Sequence, residues 1–313
     1  MSMHSDLHVV IGASGQLGMA MVAALVARGL RVRAVGRSRA LVVPAGVEVA
    51  TGDIGDPDDA ARLCRGAGVV YGCFGAPHVE WRRSFPRMTR GLLAGAASAS
   101  ARLVFADNLY AYGPQTGPLV ETMPATDFGD KPRLRAELAA LLLDAHRSGL
   151  ARVVIGRASD FYGPGVTNAM LGASVVRAAA AGERVFLPGD LDAPHTFTFL
   201  PDLADALAEL GLADDTDGQV WHVPSAPAVS LREVIARIAE LAGTRVRLVG
   251  LPRVGVRVAA WFDPAVRELL ELGFQWDRPY LVSHDKFAAR FGARPTPLDA
   301  GLRATVAWAK GQR

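Results

Sequence analysis

Three glycines near the N-terminus have the spacing of a loop that binds a diphosphate. Residues 12–18 read Gly-Ala-Ser-Gly-Gln-Leu-Gly, after a short apolar run and at the start of an amphipathic one. In such a loop Gly12 permits the tight turn, Gly15 lets phosphate oxygens approach the main chain, and Gly18 lets the helix pack against the sheet. Because the helix N-terminus presents N–H groups to an anion, the run favours a dinucleotide site over a tight turn without a ligand. The predicted contacts are Gly12, Ser14, Gly15, Gln16, Leu17 and Gly18.

The residues after the second predicted strand bear on which dinucleotide binds. This strand ends at Val35 and is followed by Gly-Arg-Ser-Arg, residues 36–39. An NAD site usually has an acid here for the ribose 2′-hydroxyl, whereas a guanidinium suits a 2′-phosphate. The sequence therefore predicts NADP(H) in preference to NAD(H), with Arg37 as a contact. If Arg37 and Arg39 are only solvated charges, NAD remains an alternative.

Two further segments are predicted to contact the cofactor. Asp53 and Ile54 follow the third strand, where the Asp53 carboxylate either meets the adenine amine or forms a turn. Phe74 and Gly75 follow the strand at residues 69–71 and complete this side of the site.

Short apolar runs alternate with longer amphipathic ones over the first half of the chain. Such a rhythm predicts a parallel sheet covered by helices on both faces. The fold class is therefore α/β, a Rossmann-type doubly wound parallel sheet with a smaller, mostly helical C-terminal substrate lobe. The predicted strands are 8–11, 31–35, 69–71, 101–106 and 153–156, and the predicted helices are 16–28, 57–66, 84–99, 132–148, 202–211 and 231–242. The Rossmann domain is predicted over 1–165, with 196–225 returning to it, and the substrate-binding lobe over 166–313.

Several motifs resemble the extended short-chain dehydrogenases/reductases of the NAD-dependent epimerase/dehydratase type. Besides the glycine loop they are Tyr112-Gly113, Phe-Tyr-Gly-Pro-Gly at 161–165, Phe-Leu-Pro-Asp-Leu at 199–203 and the segment 295–308. The likeness covers nearly the whole chain. It implies a catalytic Ser or Thr after the fifth strand and a Tyr-x-x-x-Lys on the next helix, where the Tyr exchanges a proton with the substrate and the Lys lowers its pKa and holds the nicotinamide ribose.

This sequence departs from that family pattern. Counting four residues back from Tyr112 places Asn108 at the Ser/Thr position, and Gly129 and Arg133 fall at the Tyr and Lys positions. Residues 113–161 contain no tyrosine. The chain thus resembles an atypical subgroup that keeps the nucleotide fold. Arg133 either holds the cofactor ribose or is a solvated helix residue.

A carbonyl reduction needs a proton donor beside the substrate oxygen, and five residues are candidates. Tyr110 and Tyr112 leave the fifth strand at the sheet edge where ligands of α/β folds bind. Asn108 could donate a hydrogen bond to a substrate oxygen. Asp160 could act as a base, and His195 could transfer a proton near neutral pH. The structural alternatives are packing for the tyrosines, turn or capping roles for Asn108 and Asp160, and a hydrogen-bonded or surface position for His195.

Composition argues against several other classes of protein. The net charge of +3 comes without a run of like charges, which argues against nucleic acid. Cys64 and Cys73 are too few for a disulfide framework, so a reducing, cytoplasmic compartment is predicted. The apolar runs are shorter than the roughly 20 residues that span a bilayer, and no membrane partner is predicted. The histidines and cysteines lack ligand spacing, so no metal is predicted.

Three functions remain for a chain of this kind. The first is an NADP(H)-dependent oxidoreductase that acts on a small or medium carbonyl, enone or sugar-like substrate. The second is an isomerase, epimerase, dehydratase or cyclase on the same scaffold, with internal redox chemistry or none. The third is an NADP(H)-binding regulatory protein. The resemblance also implies a homodimer through the helices at 84–99 and 132–148.

Overall fold

The computed structural model describes residues 6–38, 41–292 and 294–311, so Arg39 lies outside the described residues. The strands are β1 (Leu7–Ile11), β2 (Arg31–Gly36), β3 (Glu48–Thr51), β4 (Val69–Gly72), β5 (Arg102–Asn108), β6 (Arg152–Ala158), β7 (Asp160–Tyr162), β8 (Arg184–Pro188), β9 (Pro194–His195), β10 (Phe197–Phe199), β11 (Val220–His222), β12 (Val229–Ser230) and β13 (Arg247–Leu251). The helices are α1 (Gln16–Ala27), α2 (Pro57–Cys64), α3 (Trp81–Ser98), α4 (Asp130–Arg147), α5 (Ala173–Ala181), α6 (Leu200–Leu212), α7 (Leu231–Ala242), α8 (Arg253–Phe262), α9 (Pro264–Leu270), α10 (Asp285–Phe291) and α11 (Leu298–Gly311).

One seven-stranded sheet confirms the predicted α/β class. Its strand order is β11-β6-β5-β4-β1-β2-β3, and the pairs from β3 to β5 are parallel. Strand order reverses between β1 and β4, and ligands of open α/β sheets bind beyond the carboxyl ends of the strands at such a point. The glycine loop follows β1, so the topology places it at this reversal.

Local signals account for several element boundaries. All five residues of β1 are buried, as a central parallel strand requires. The Asp56 side chain accepts from two N–H groups at the start of α2, with Pro57 at the first helical position. Ser230 and Glu233 form a complete capping box on α7, which ends at left-handed Gly243.

The chain divides into two compact units. The first comprises Met1–Asp107, Leu134–Arg157 and Leu203–Trp221, and the second comprises Asn108–Arg133, Ala158–Asp202 and His222–Arg313. In the second unit α5, α7 and α11 pack around an apolar core, and three small strand pairs, β7/β10, β9/β12 and β8/β13, accompany them. The domain limits at residues 165 and 196–225 stay predictions.

The structure bears on two expectations about partners, which are the homodimer and the lack of a membrane partner. The apolar stripe of α4 on which the homodimer depends consists of Leu134, Leu138, Leu141 and Leu142. Leu141 is half-buried, whereas the other three are buried within the chain and Leu142 belongs to the core of the sheet. This stripe therefore covers the chain's own interior, and the homodimer stays a prediction. Among the described residues no helix combines the length and apolarity needed to cross a membrane.

Candidate functional site

At its two ends, Gly12 and Gly18, the glycine loop leaves no room for a larger side chain. Gly12 has φ +87°, and a Cβ there would lie 2.8 Å from the Cys73 carbonyl oxygen. A Cβ on Gly18 would lie only 2.1 Å from the Gly12 oxygen, so α1 packs directly on the turn. The N–H groups of Gly12 and Ala13 both donate to the Val35 carbonyl, which ties the loop to β2.

The start of α1 suits an anion. Its N-cap is Gly15, no side chain caps the helix, and its first turn carries no acidic residue. Ser14 and Gly15 are exposed, and Gln16 and Leu17 are half-exposed. The positive end of the helix dipole is thus neither neutralised nor covered by these side chains, and the loop fits a diphosphate.

Charged side chains gather where β2 and β3 end. Arg37 follows β2 and is exposed. The Asp53 carboxylate accepts from the Gly55 N–H at 2.9 Å and from Arg87 Nη1 at 2.8 Å. The hydrogen bond from Arg87, assisted by the nearby charge of Arg37, holds the pKa of Asp53 below its usual range. Arg87 and Arg37 thus both act on the Asp53 carboxylate, and sequence reasoning missed Arg87.

The remaining predicted cofactor residues have different settings. Ile54 is buried in the core of the sheet, so only its main chain is placed for a ligand. Phe74 is half-buried beside Phe85 at a ring separation of 6.0 Å, and Gly75 is exposed. Arg133 is exposed and pairs with Asp130 at 2.8 Å, which matches its solvated-helix alternative.

In the second unit, Asp160 and His195 lie side by side. Asp160 opens β7 and His195 ends β9, and His195 Nε2 is 3.1 Å from Asp160 Oδ2. The other ring nitrogen, Nδ1, is 3.1 Å from the Gln275 carbonyl oxygen. A main-chain bridge between His195 and Tyr280 holds this segment in place.

The hydrogen-bond partners of His195 determine how many protons the pair carries. A carbonyl oxygen only accepts, so Nδ1 must carry a proton. If the ring is neutral, Nε2 then carries no proton and presents a lone pair to the Asp160 carboxylate, which also can only accept. The contact therefore requires a proton between them, as an imidazolium beside a carboxylate or as an imidazole beside a carboxylic acid. The pair of Asp160 and His195 thus holds one transferable proton.

Aromatic rings enclose the imidazole. The Trp276 ring stacks on His195 with centroids 4.0 Å apart at 5°, and Tyr280 lies 5.1 Å away at 21°. The His195 side chain is 3% exposed and that of Asp160 19%, so Asp160 is the member of the pair that another molecule can reach. Trp276 and Tyr280 were missed because no local motif marks them.

The other three candidates are arranged around the end of β5. Asn108 Oδ1 accepts from the Tyr110 N–H at 3.1 Å, which orients the amide so that its NH₂ is the donor end. Tyr110 packs against the apolar cluster that contains Tyr280. The Tyr112 hydroxyl is buried 2.8 Å from His222 Nε2. Because His222 Nδ1 donates to a carbonyl at 2.9 Å, Nε2 accepts and Tyr112 donates to it.

A buried ionic group in the first unit also escaped sequence reasoning. Asp107 accepts from Arg135 Nε at 2.8 Å and from Arg157 Nε at 3.0 Å. Burial alone would raise the pKa of Asp107, but the two guanidinium groups outweigh it and hold the pKa below its usual value. The Arg135 guanidinium also lies 4.7 Å from the Phe85 ring centroid. Charged residues at the ends of otherwise apolar strands were the available signal.

The sheet order and the glycine loop define a nucleotide-binding enzyme of the doubly wound α/β class. The NAD dependent epimerase/dehydratase family matches residues 8–223, and the chain belongs to this family. This match confirms the resemblance to the epimerase/dehydratase family that was drawn from the sequence.

Known proteins similar to this chain are oxidoreductases and sugar-nucleotide enzymes by name. A "3beta-hydroxysteroid-dehydrogenase/decarboxylase isoform 2" of Arabidopsis thaliana is 29% identical over 201 residues, which are 55% of this chain and 34% of that protein. The match thus spans about a third of the length of this curated relative. A dTDP-glucose 4,6-dehydratase from Bacillus anthracis with NAD has a TM-score of 0.79 at 17% identity, covering 98% of this chain and 97% of the other. A Thermus thermophilus UDP-glucose 4-epimerase with NAD has a TM-score of 0.78 at 22% identity, covering 98% and 100%. At these identities the two structures show the fold alone.

Proposed function

We propose that this chain is an NADP(H)-dependent oxidoreductase that acts on a small or medium carbonyl, enone or sugar-like substrate. The observation that carries the proposal is the 3.1 Å contact between His195 Nε2 and Asp160 Oδ2, which is a hydrogen bond only with one proton between the two atoms. A carbonyl reduction consumes one hydride and one proton, and residues 113–161 contain no tyrosine for the proton-donor role that the resemblance implies. The pair supplies a replacement in a setting that excludes most solvent.

The division of labour within the pair follows from exposure. When bound, NADPH supplies the hydride. The shared proton passes from His195 to Asp160, the more exposed member, and from Asp160 to the substrate oxygen, which leaves a neutral imidazole beside a carboxylate. Asp160 then takes up the next proton from solvent. We assign the NH₂ group of Asn108, the donor end of its amide, to a hydrogen bond with the substrate. A general acid of this kind contributes about 10²–10⁴-fold to the rate.

Replacing the pair tests this assignment. We expect Asp160→Asn and His195→Gln to lower kcat by about 10²–10⁴-fold in an assay that follows oxidation of NADPH with a panel of carbonyls. Affinity for NADPH should stay unchanged in both. Asp144→Asn, on the exposed side of α4, is the matched control. Full activity of both variants would show that the proton comes from elsewhere.

The preference for NADP(H) rests on the cations at the ends of β2 and β3. Arg87 donates to the Asp53 carboxylate at 2.8 Å and the charge of Arg37 acts on the same group, and we assign these two cations to a 2′-phosphate. A charge-assisted hydrogen bond contributes about 1.5–3 kcal/mol, or about 10- to 150-fold in affinity. Arg37→Ala should therefore lower the affinity for NADPH by that factor and leave the affinity for NADH unchanged. Arg65→Ala, at another exposed arginine, is the control. Equal losses of affinity for NADPH and NADH would contradict the proposed preference for NADP(H).

An epimerase or dehydratase with internal redox chemistry is the second candidate. It is favoured by the family match, and the pair of Asp160 and His195 would serve it equally. The two candidates differ in whether substrate turnover changes the absorbance of reduced nicotinamide. Tight binding of NADPH without turnover of any substrate would instead indicate a regulatory protein. Oligomeric state by light scattering tests the predicted homodimer.

A further inference from the structure

The imidazole of His195 is confined on its faces as well as at its nitrogens. The Trp276 ring is nearly parallel to it, with centroids 4.0 Å apart at 5°, and the Tyr280 ring lies 5.1 Å away at 21°. Two rings at these distances and angles would overlap on a single face of the imidazole, so they cover opposite faces. Phe197 is tilted by 38° with its centroid 4.7 Å away. The imidazole therefore cannot turn about its Cβ–Cγ bond without moving an aromatic neighbour.

Trp276 has a fixed base in the main chain of the second unit. The Asp190 N–H donates to the Trp276 carbonyl at 2.7 Å, and the Trp276 N–H donates to the Gly273 carbonyl at 3.0 Å. Gly189 has φ +93°, and a Cβ there would lie 2.8 Å from the Cβ of Trp276. The turn after β8 thus packs directly on this residue and holds the indole against the imidazole.

The ring on the other face belongs to a segment that is tied to β9. The Tyr280 N–H donates to the Pro194 carbonyl and the Thr196 N–H donates to the Tyr280 carbonyl, both at 2.9 Å. These bonds flank His195 in the sequence, so Tyr280 and the main chain of His195 form one unit of backbone. A substitution at Trp276 consequently removes one face of the sandwich and leaves these bonds in place.

The hydrogen bonds of His195 hold its ring only while both nitrogens carry hydrogen. Nδ1 faces the Gln275 carbonyl and Nε2 faces the Asp160 carboxylate, each at 3.1 Å. Once a proton has passed to the substrate, the neutral ring has one N–H group for two acceptors. Whichever nitrogen keeps its hydrogen, the other contact sets a lone pair against an acceptor and repels. Stacking between ring faces does not depend on that proton.

We propose that Trp276 is a positioning residue for proton transfer by the pair of Asp160 and His195, a role that rests on the proposed function. Its indole keeps Nε2 directed at Asp160 while the pair lacks its proton. A proton that Asp160 takes up from solvent is then shared with His195 again. The indole itself neither gives nor receives a proton.

Kinetics of substituted chains test this role. Trp276→Leu removes the flat face and should lower kcat by about 10- to 100-fold, because a catalytic group displaced by about 1 Å loses up to that factor. Trp276→Met, which also lacks a flat face, should behave in the same way, and Trp276→Phe, which keeps a ring over the imidazole, should restore most of kcat. Trp308→Leu is the matched control, because Trp308 on α11 is a partly buried tryptophan packed against the same apolar core.

Few groups that titrate face the imidazole among the described residues. Asp160 of β7 contacts Nε2, and Tyr280 has the other titratable side chain in contact with the ring. Phe197 on β10 and Val229, which pairs with His195 from β12, have none. A change in the pH profile on substitution of Trp276 therefore reports on the pair.

The pH dependence of kcat separates positioning from a general loss of stability. In Trp276→Leu the neutral ring is free to turn away from the repelling contact, which favours loss of the proton. The alkaline limb of the pH–rate profile should therefore move to lower pH in this variant. It should stay in place in Trp276→Phe and Trp308→Leu. Melting temperature and NADPH affinity, measured in every variant, check that both units are folded.

Nuclear magnetic resonance of the imidazole gives a readout that needs no turnover. The carbon-bound ring protons of His195, assigned by comparison with His195→Gln, should stay sharp in the parent chain on both sides of the alkaline limb. In Trp276→Leu they should broaden above it, because the ring then moves between orientations. Trp276→Phe and Trp308→Leu should resemble the parent.

Three results would overturn the role of Trp276. They are a parent-like kcat in Trp276→Leu and Trp276→Met, an equal loss of kcat in Trp308→Leu, and sharp His195 signals in Trp276→Leu above the alkaline limb. Failure of the proposed function gives a different pattern, in which Asp160→Asn and His195→Gln keep full activity. The resonance comparison still decides in that case whether Trp276 holds the ring.

Discussion

Asp107→Asn is the substitution whose effect on stability follows most directly from the contacts. In the folded chain one carboxylate accepts hydrogen bonds from Arg135 and Arg157, and the three side chains are 1%, 4% and 6% exposed. The group carries a net charge of +1. Asparagine has nearly the same shape but no charge, so the variant would bury two guanidinium groups without this counter-ion.

The size of the loss can be bounded from that burial. Removing one partner of a buried ion pair typically costs about 3–5 kcal/mol, because the remaining charge is left uncompensated in a low-dielectric interior. Since two cations lose the same partner, we expect the upper half of this range for the free energy of unfolding. The lowered pKa of Asp107 adds a pH signature. The carboxylate stabilises the folded chain above its unfolded pKa of about 3.8, and this contribution is lost as the pH falls through the lower folded pKa.

Urea unfolding followed by far-ultraviolet circular dichroism measures the difference. The gap between the parent and Asp107→Asn should be constant near neutral pH and should shrink below about pH 4. Asp144→Asn is the control, because Asp144 pairs with Arg147 on the exposed side of the same helix that carries Arg135. A loss below about 1 kcal/mol for Asp107→Asn, or a gap that does not change in acid, would refute the reasoning.

Three further outcomes are expected. Gly18→Ala should lower both the melting temperature and NADPH affinity, because its Cβ would meet the Gly12 oxygen at 2.1 Å; parent-like values of both would contradict the close packing. A thiol reagent should label Cys64 and Cys73 about 1,000-fold more slowly than a free thiol until urea is added, because burial raises the pKa of each from 9.0 to about 12 and lowers the thiolate fraction by that factor. Rapid labelling of the folded chain would contradict this prediction. The free energy of unfolding should fall as the pH drops below about 6.5, because burial lowers the pKa of His8 and the unfolded chain takes up the proton first. His8→Gln should flatten this pH dependence, and parallel pH curves for the variant and the parent chain would disprove the assignment to His8.

The cofactor half of the molecule could be predicted because its signals are local. The tight turn at Gly12, the close packing at Gly18 and the start of α1 involve residues a few positions apart. The capping box joins Ser230 and Glu233, which are three positions apart. Turn geometry, helix caps and periodicity depend on neighbouring residues, so the amino-acid order alone carries them.

The chemistry of the second unit required the fold. Asp160 and His195 were each named from the sequence, but their contact joins residues 35 apart, and the Gln275 carbonyl that determines their proton count lies 80 residues beyond His195. Tyr112 was also named from the sequence as a proton donor, but in the fold its hydroxyl donates to His222, a residue 110 positions away. Hydrogen bonds of this kind form between segments that only tertiary packing brings together.

The same division holds for the charged and apolar surfaces. The order of residues determined that α8 has an apolar stripe of Val254, Val258, Trp261 and Phe262 and that the glycine loop lies between a strand and a helix. Only the tertiary structure decided that the stripe of α8 faces solvent while most of the stripe of α4 is buried. It also decided that Asp107 meets two arginines. Periodicity shows that a helix has two unlike faces, but which face is covered depends on the neighbours that long-range packing supplies.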